Sequence, residues 1–70
     1  MRIALKTAIL ATCGSQRAVA AITRIPENRL SSIVRGWVEP RPHERLALQH
    51  CLGIGPEAFA TVEPEAAHHG

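Results

Sequence analysis

Tyrosine is absent from this 70-residue chain, and Phe59 and Trp37 are its only other aromatic residues. A core must therefore be built from Leu, Ile, Val and Ala, which favours a small all-α bundle over a β-sandwich. Cysteine is scarce too: Cys13 and Cys51 are too few for a disulfide framework. No apolar run is long enough for export or for spanning a bilayer. The MRIALKTAIL start is interrupted by Lys6, so no signal peptide, no membrane anchor and a cytoplasmic location, bacterial or in an infected cell, are expected. Seventy residues make one domain, and at about 60 residues a chain buries only about 60% of its unfolded surface. Stability is expected to be modest.

The motifs of catalysis are missing as well. There is no Gly-rich phosphate loop and no nucleophile motif, and the glutamates are scattered. Cys13, Cys51, His43 and His50 are metal-ligand types, but no CxxC or HxxxH pair joins them, and adjacent His50 and Cys51 point to different faces of a helix. The expectation is a protein with no enzyme activity, no metal and no cofactor.

Charge is present and unevenly placed. All eight Lys and Arg fall within residues 1 to 56, against Glu27, Glu39 and Glu44, a net of +5; residues 57 to 70 hold only Glu57, Glu63 and Glu65, a net of −3. A basic surface attracts polyanions through long-range electrostatics and counterion release.

The stretch from Ser15 to Gly36, SQRAVAAITRIPENRLSSIVRG, reads as two short helices joined by a sharp turn. Ser15 can cap the first, with Val19, Ala20 and Ile22 on its inner side. The second begins at Pro26-Glu27, carries Leu30, Ile33 and Val34 at helical spacing, and stops at Gly36. Thr23, Arg24 and Ile25 remain to reverse the chain, with Ile25 buried, which suits a helix-turn-helix corner.

Around this centre, residues 2 to 13 read as a helix with Leu5, Ala8, Ile9 and Cys13 on one stripe, ended by Gly14. Cys13 is expected as a small buried hydrophobe. The loop WVEPRP cannot continue a helix. Pro42 opens a further one with Glu44 in its first turn, Leu48 and Leu52 facing inward, and a Gly53-Ile54 stop. A short turn from Pro56 follows, anchored by Phe59, and residues 63–70 read as a disordered tail.

Gln16, Ala20, Ile25, Leu30, Ile33 and Gly36, followed by Pro40, Leu48, Leu52, Gly53 and Ile54, resemble the phage-repressor helix-turn-helix family of lambda repressor and Cro, without a gap from Ser15 to Phe59. The resemblance implies a compact bundle of four or five short helices over residues 1 to 62. It also implies a second motif helix that enters the major groove of double-stranded DNA, a docking for which lambda repressor is a standard example. On this pattern Glu27, Asn28, Ser31 and Ser32 face base edges: Asn28 is suited to adenine and Glu27 to a cytosine amino group. Gln16, Arg24, Arg35, Trp37 and Arg41 are placed at the phosphate backbone. Trp37 has a second reading, as a half-buried lid on the core. Two positions depart from the family. Arg24 stands where the corner usually has Gly, at a cost of roughly 1 kcal/mol if left-handed. Gln49 stands where a small apolar residue is common, so its amide needs a partner or must lean outward.

The implied function is sequence-specific transcription regulation, by a repressor of phage or mobile-element type. A module this small reads few base pairs, so a homodimer on a palindromic operator is expected. Ile54, Phe59 and Val62 are the expected interface, as apolar surface in excess of one small core. Two other readings stand beside it: a helical protein-interaction module such as an antitoxin or adaptor, and a non-specific nucleic-acid binder.

Overall fold

The computed structural model describes residues 1 to 61. Val62 and the tail 63–70 lie outside the described residues. The order is α1 (Ile3–Cys13), α2 (Gln16–Thr23), α3 (Glu27–Arg35), α4 (Pro42–Leu52) and a single 3-10 turn (Pro56–Phe59). No strand occurs among the described residues, and the fold is an all-α bundle. No helix is long and apolar enough to cross a membrane among the described residues.

Each boundary has a local cause. Ser15 Oγ accepts the Ala18 amide at 3.2 Å, occupying one of the unpaired donors at the start of α2. The Arg41 amide donates to the Glu44 carboxylate at 2.7 Å, which does the same at the start of α4. At the end of α3, Gly36 adopts φ 82 and returns its amide to Ile33 O, while the Trp37 amide returns to Ser32 O. A Cβ on Gly36 would also lie 3.1 Å from the Thr61 side chain, so the position asks for glycine on two counts.

Leu5, Ile9, Val19, Leu30, Ile33 and Leu48 are fully buried, joined by Ile25, Val34, Leu52 and Phe59. Each such aliphatic side chain contributes roughly 1.5–3 kcal/mol on burial. α2 packs on α1, α3 and α4, so the motif's first helix is held on three sides. The 3-10 turn packs on α1.

Three expectations are corrected. Ile22 is 62% exposed, because the buried stripe of α2 centres on Val19 and Ala20 with Gln16 and Thr23 at its margins, and Ile22 falls outside that arc. Phe59 is buried in the monomer's own core and Ile54 packs half-buried against it. Neither is therefore the surplus apolar surface expected for a dimer interface, and the third member, Val62, is outside the described residues. Arg2, which the sequence placed only in the net charge of the basic part, is 1% exposed and so adds nothing to a basic surface. Its Nε donates to Phe59 O at 2.7 Å, its Nη1 donates to Ile33 O and Val38 O, and its Nη2 pairs with Glu39 at 3.0 Å. The planar fork thus ties the end of α3, the following loop and the 3-10 turn to the start of the chain.

Candidate nucleic-acid interface

The corner between α2 and α3 is built from three residues. Thr23 ends α2 with its hydroxyl donating to Val19 O at 2.7 Å and accepting the Ile25 amide at 3.4 Å. Arg24 takes the left-handed conformation, φ 62 and ψ 23, and is the only described non-glycine residue with positive φ. Ile25 turns inward at 4% exposure, and Pro26 leads into α3 with no amide to leave unpaired. The geometry at Arg24 is one that a Cβ disfavours. Arg24→Gly is therefore expected to stabilise the fold by a few tenths to about 1 kcal/mol, read as a rise in the thermal midpoint. A clear fall in the midpoint would contradict the left-handed turn.

α3 divides cleanly by face. Leu30, Ile33 and Val34 are buried, and at 100° per residue Asn28, Ser31, Ser32 and Arg35 occupy the opposite arc. Asn28 and Arg35 are exposed, and Ser31 and Ser32 are half-buried. Glu27 is exposed in the first turn, where a carboxylate also suits the positive end of the helix dipole. The Ser32 hydroxyl donates to Asn28 O at 3.1 Å, so its proton is engaged within the helix and its oxygen remains an acceptor.

The flank of α3 nearest α4 holds what the sequence did not reveal. Arg29 makes a two-point contact with Glu44: Nη2 to Oε1 at 2.9 Å, and Nε to Oε2. Its Nη2 also reaches Glu39 O at 3.4 Å. Glu44 is 3% exposed. Hydrogen bonding from Arg29, aided by the Arg41 amide and opposed by burial, lowers its pKa to about 2. The same hydrogen bond raises the Arg29 pKa. This pair latches α3 to α4 through charge-assisted bonds. No local rule of sequence joins residues so far apart on two helices, whereas Glu44 was legible only as a first-turn carboxylate.

Beyond α3, Trp37 is 70% exposed, which removes the reading of it as a lid on the core. The Arg35 guanidinium lies over its ring, 4.9 Å from the centroid. Arg41, at the start of α4, is exposed, and Gln16 is half-buried at the first position of α2. Gln49 is half-buried, and no buried side-chain nitrogen or oxygen lacks a partner among the described residues. The exposed cations are Lys6, Arg17, Arg24, Arg35, Arg41 and Arg45, the last over the Phe59 ring. Arg2 and Arg29 are committed to ion pairs.

The structure thus sets Asn28, Ser31, Ser32 and Arg35 on one arc of one helix, with Glu27 at its start. Ile54 and Phe59 belong to the core instead. Among the described residues no three of His, Cys, Asp or Glu are grouped as a metal ion requires. No family model, curated protein or solved structure matches the chain.

Proposed function

We propose that this chain binds double-stranded DNA sequence-specifically through α3 in the major groove and regulates transcription without catalysis, as a repressor of phage or mobile-element type in the cytoplasm. The observation that supports this reading is the outward arc of α3. It offers uncharged hydrogen-bonding groups at Asn28, Ser31 and Ser32, with Arg35 exposed at its far end, while Arg29, on the flank of the helix, is withdrawn onto Glu44. Side chains that reach base edges discriminate bases by their donor and acceptor pattern, whereas contacts to phosphates carry no sequence information directly.

In this reading Asn28 addresses adenine, Glu27 accepts from cytosine, and Ser31 and Ser32 supplement them one turn on. Gln16, Arg24, Arg35, Trp37 and Arg41 meet the phosphates and set the register. Two copies occupy a palindromic operator with half-sites about one helical turn apart. The C-terminal patch is not carried forward as their interface, since Phe59 is spent on the monomer's core.

Single substitutions separate the roles. Asn28→Ala is expected to weaken the preferred site by about 1–3 kcal/mol and to leave binding to unrelated duplex unchanged. Equal loss on both would remove Asn28 from the base readers. Arg35→Ala is expected to weaken all duplexes alike and to make the salt dependence shallower by about one unit of slope. An unchanged slope would take Arg35 off the backbone.

A second reading, as a protein-interaction module, is favoured by large apolar side chains left on the surface, Ile22 at 62% and Leu46 at 66% exposure among them. In that case no duplex competes with any other, and neither substitution changes a DNA affinity.

A further inference from the structure

The two ends of α3 are fastened by different side chains. At the far end Arg2 donates its backbone amide to Val34 O at 2.7 Å and its Nη1 to Ile33 O. Near the start, beside Glu27 and Asn28, only Arg29 joins α3 to another element by hydrogen bonds among the described residues. Leu30, Ile33 and Val34 are buried beneath the helix, but the hydrophobic effect is non-directional. A planar guanidinium on a carboxylate is directional.

The Arg29–Glu44 pair joins α3, the following loop and α4 at one point. Glu44 Oε1 accepts Arg29 Nη2 at 2.9 Å and the Arg41 amide at 2.7 Å, Oε2 accepts Arg29 Nε, and Nη2 also reaches Glu39 O at 3.4 Å. Glu44 is almost fully buried, so water competes little at its oxygens. Asn28 precedes Arg29 in the chain and Ser32 lies one turn beyond it, so the fastening sits beside the outward arc. Arg41 is held by the same carboxylate.

We propose that Arg29 and Glu44 are positioning residues for sequence discrimination: the pair fixes the roll of α3 against α4, and with it the register between the base-facing side chains and Arg41 at the phosphates. This inference rests on the DNA reading given above. Buried ion pairs add little net stability over apolar residues of similar volume, and their best use is to hold one geometry. Contacts to base edges need their hydrogen bonds in line, whereas attraction to phosphates tolerates displacement. The pair carries no net charge, so removing both members leaves the long-range attraction to DNA unaltered.

The test compares the parent with Arg29→Gln/Glu44→Gln, which conserves net charge and leaves an amide oxygen for the Arg41 amide, and with Arg29→Lys, which keeps the cation without the fork. Thermal melts first set a temperature at which every protein compared is folded. Residual dipolar couplings of the free proteins then give the orientation of α3 relative to α1 and α2, and competition between the duplex selected by the parent and an unrelated duplex gives the discrimination. In the double variant α3 is expected to turn, and the preference for the selected duplex to fall by about tenfold, within the range for one good two-point base contact. Affinity for the unrelated duplex is expected to stay within about twofold, and Arg29→Lys to fall between the parent and the double variant. Unaltered couplings or an unaltered preference in either variant, or a loss shared equally by both duplexes, would overturn the proposal. A parent that prefers no duplex would refute the DNA reading itself, and the couplings would still decide whether the pair sets the orientation of α3.

Discussion

Replacing Arg2 with methionine is expected to cost the fold about 3–5 kcal/mol, since buried carbonyls that lose a charged donor cost roughly 1–3 kcal/mol each. Methionine has nearly the reach of arginine and fills much of its space, so the loss is one of donors rather than of volume. Phe59 O in the 3-10 turn and Val38 O in the loop lose the Arg2 donor, and Ile33 O near the end of α3 keeps only the Gly36 amide. A domain of this size holds only about 4–10 kcal/mol in total. The variant is therefore expected to melt more than about 10 °C below the parent. Arg2→Lys should recover part of the loss, because an ammonium keeps the charge but cannot span several acceptors with a rigid fork. A midpoint for Arg2→Met within about 2 °C of the parent would refute the network's role.

Substitution at Glu44 is the second large effect. Glu44→Ala removes the acceptor for both Arg29 and the Arg41 amide, and about 2 kcal/mol is the expected cost. That is below the usual figure of about 3–5 kcal/mol for a broken buried pair, because Arg29 retains access to water. The pH dependence has a definite sign. The folded pKa near 2 lies below the ordinary carboxylate value, so the unfolded state binds the proton more readily. The contribution is complete at neutral pH, begins to fade near pH 4.5 and is gone below about pH 2, on the order of 1–2 kcal/mol after allowing for solvent at Arg29. Urea unfolding at pH 6 and at pH 3 should therefore show a smaller drop on acidification for Glu44→Gln than for the parent. Equal drops would mean that the carboxylate is not held as described.

Most of the architecture was legible because it is written in short-range signals. Ser15, Pro26, Gly36, Pro42 and Gly53 mark helix ends through their own backbone or side-chain chemistry, and Leu30, Ile33 and Val34 mark a face by spacing alone. Ile22 was misplaced because the buried arc of a two-turn helix is narrow, and Thr23 takes its margin by bonding its hydroxyl to its own helix. Phe59 was misassigned by counting apolar residues against an imagined core volume; the 3-10 turn folds it back instead. Arg2 and Arg29 entered only the net charge, and Glu44 was read only as a first-turn carboxylate, because their burial depends on partners supplied by other elements. The site divides in the same way. The outward arc of α3 follows from periodicity, whereas the latch that holds that helix to α4 follows only from the tertiary fold.

The claim that α3 reads DNA sequence is tested most directly by selecting a library of random duplexes on the parent protein and on Asn28→Ala, at one salt concentration, and sequencing the bound fraction. The expected result is an enriched palindrome for the parent, with half-site centres about one helical turn apart and an adenine whose preference relaxes in the Asn28 variant. A bound fraction with no sequence enrichment, or one that the Asn28 substitution leaves unchanged, would contradict the account.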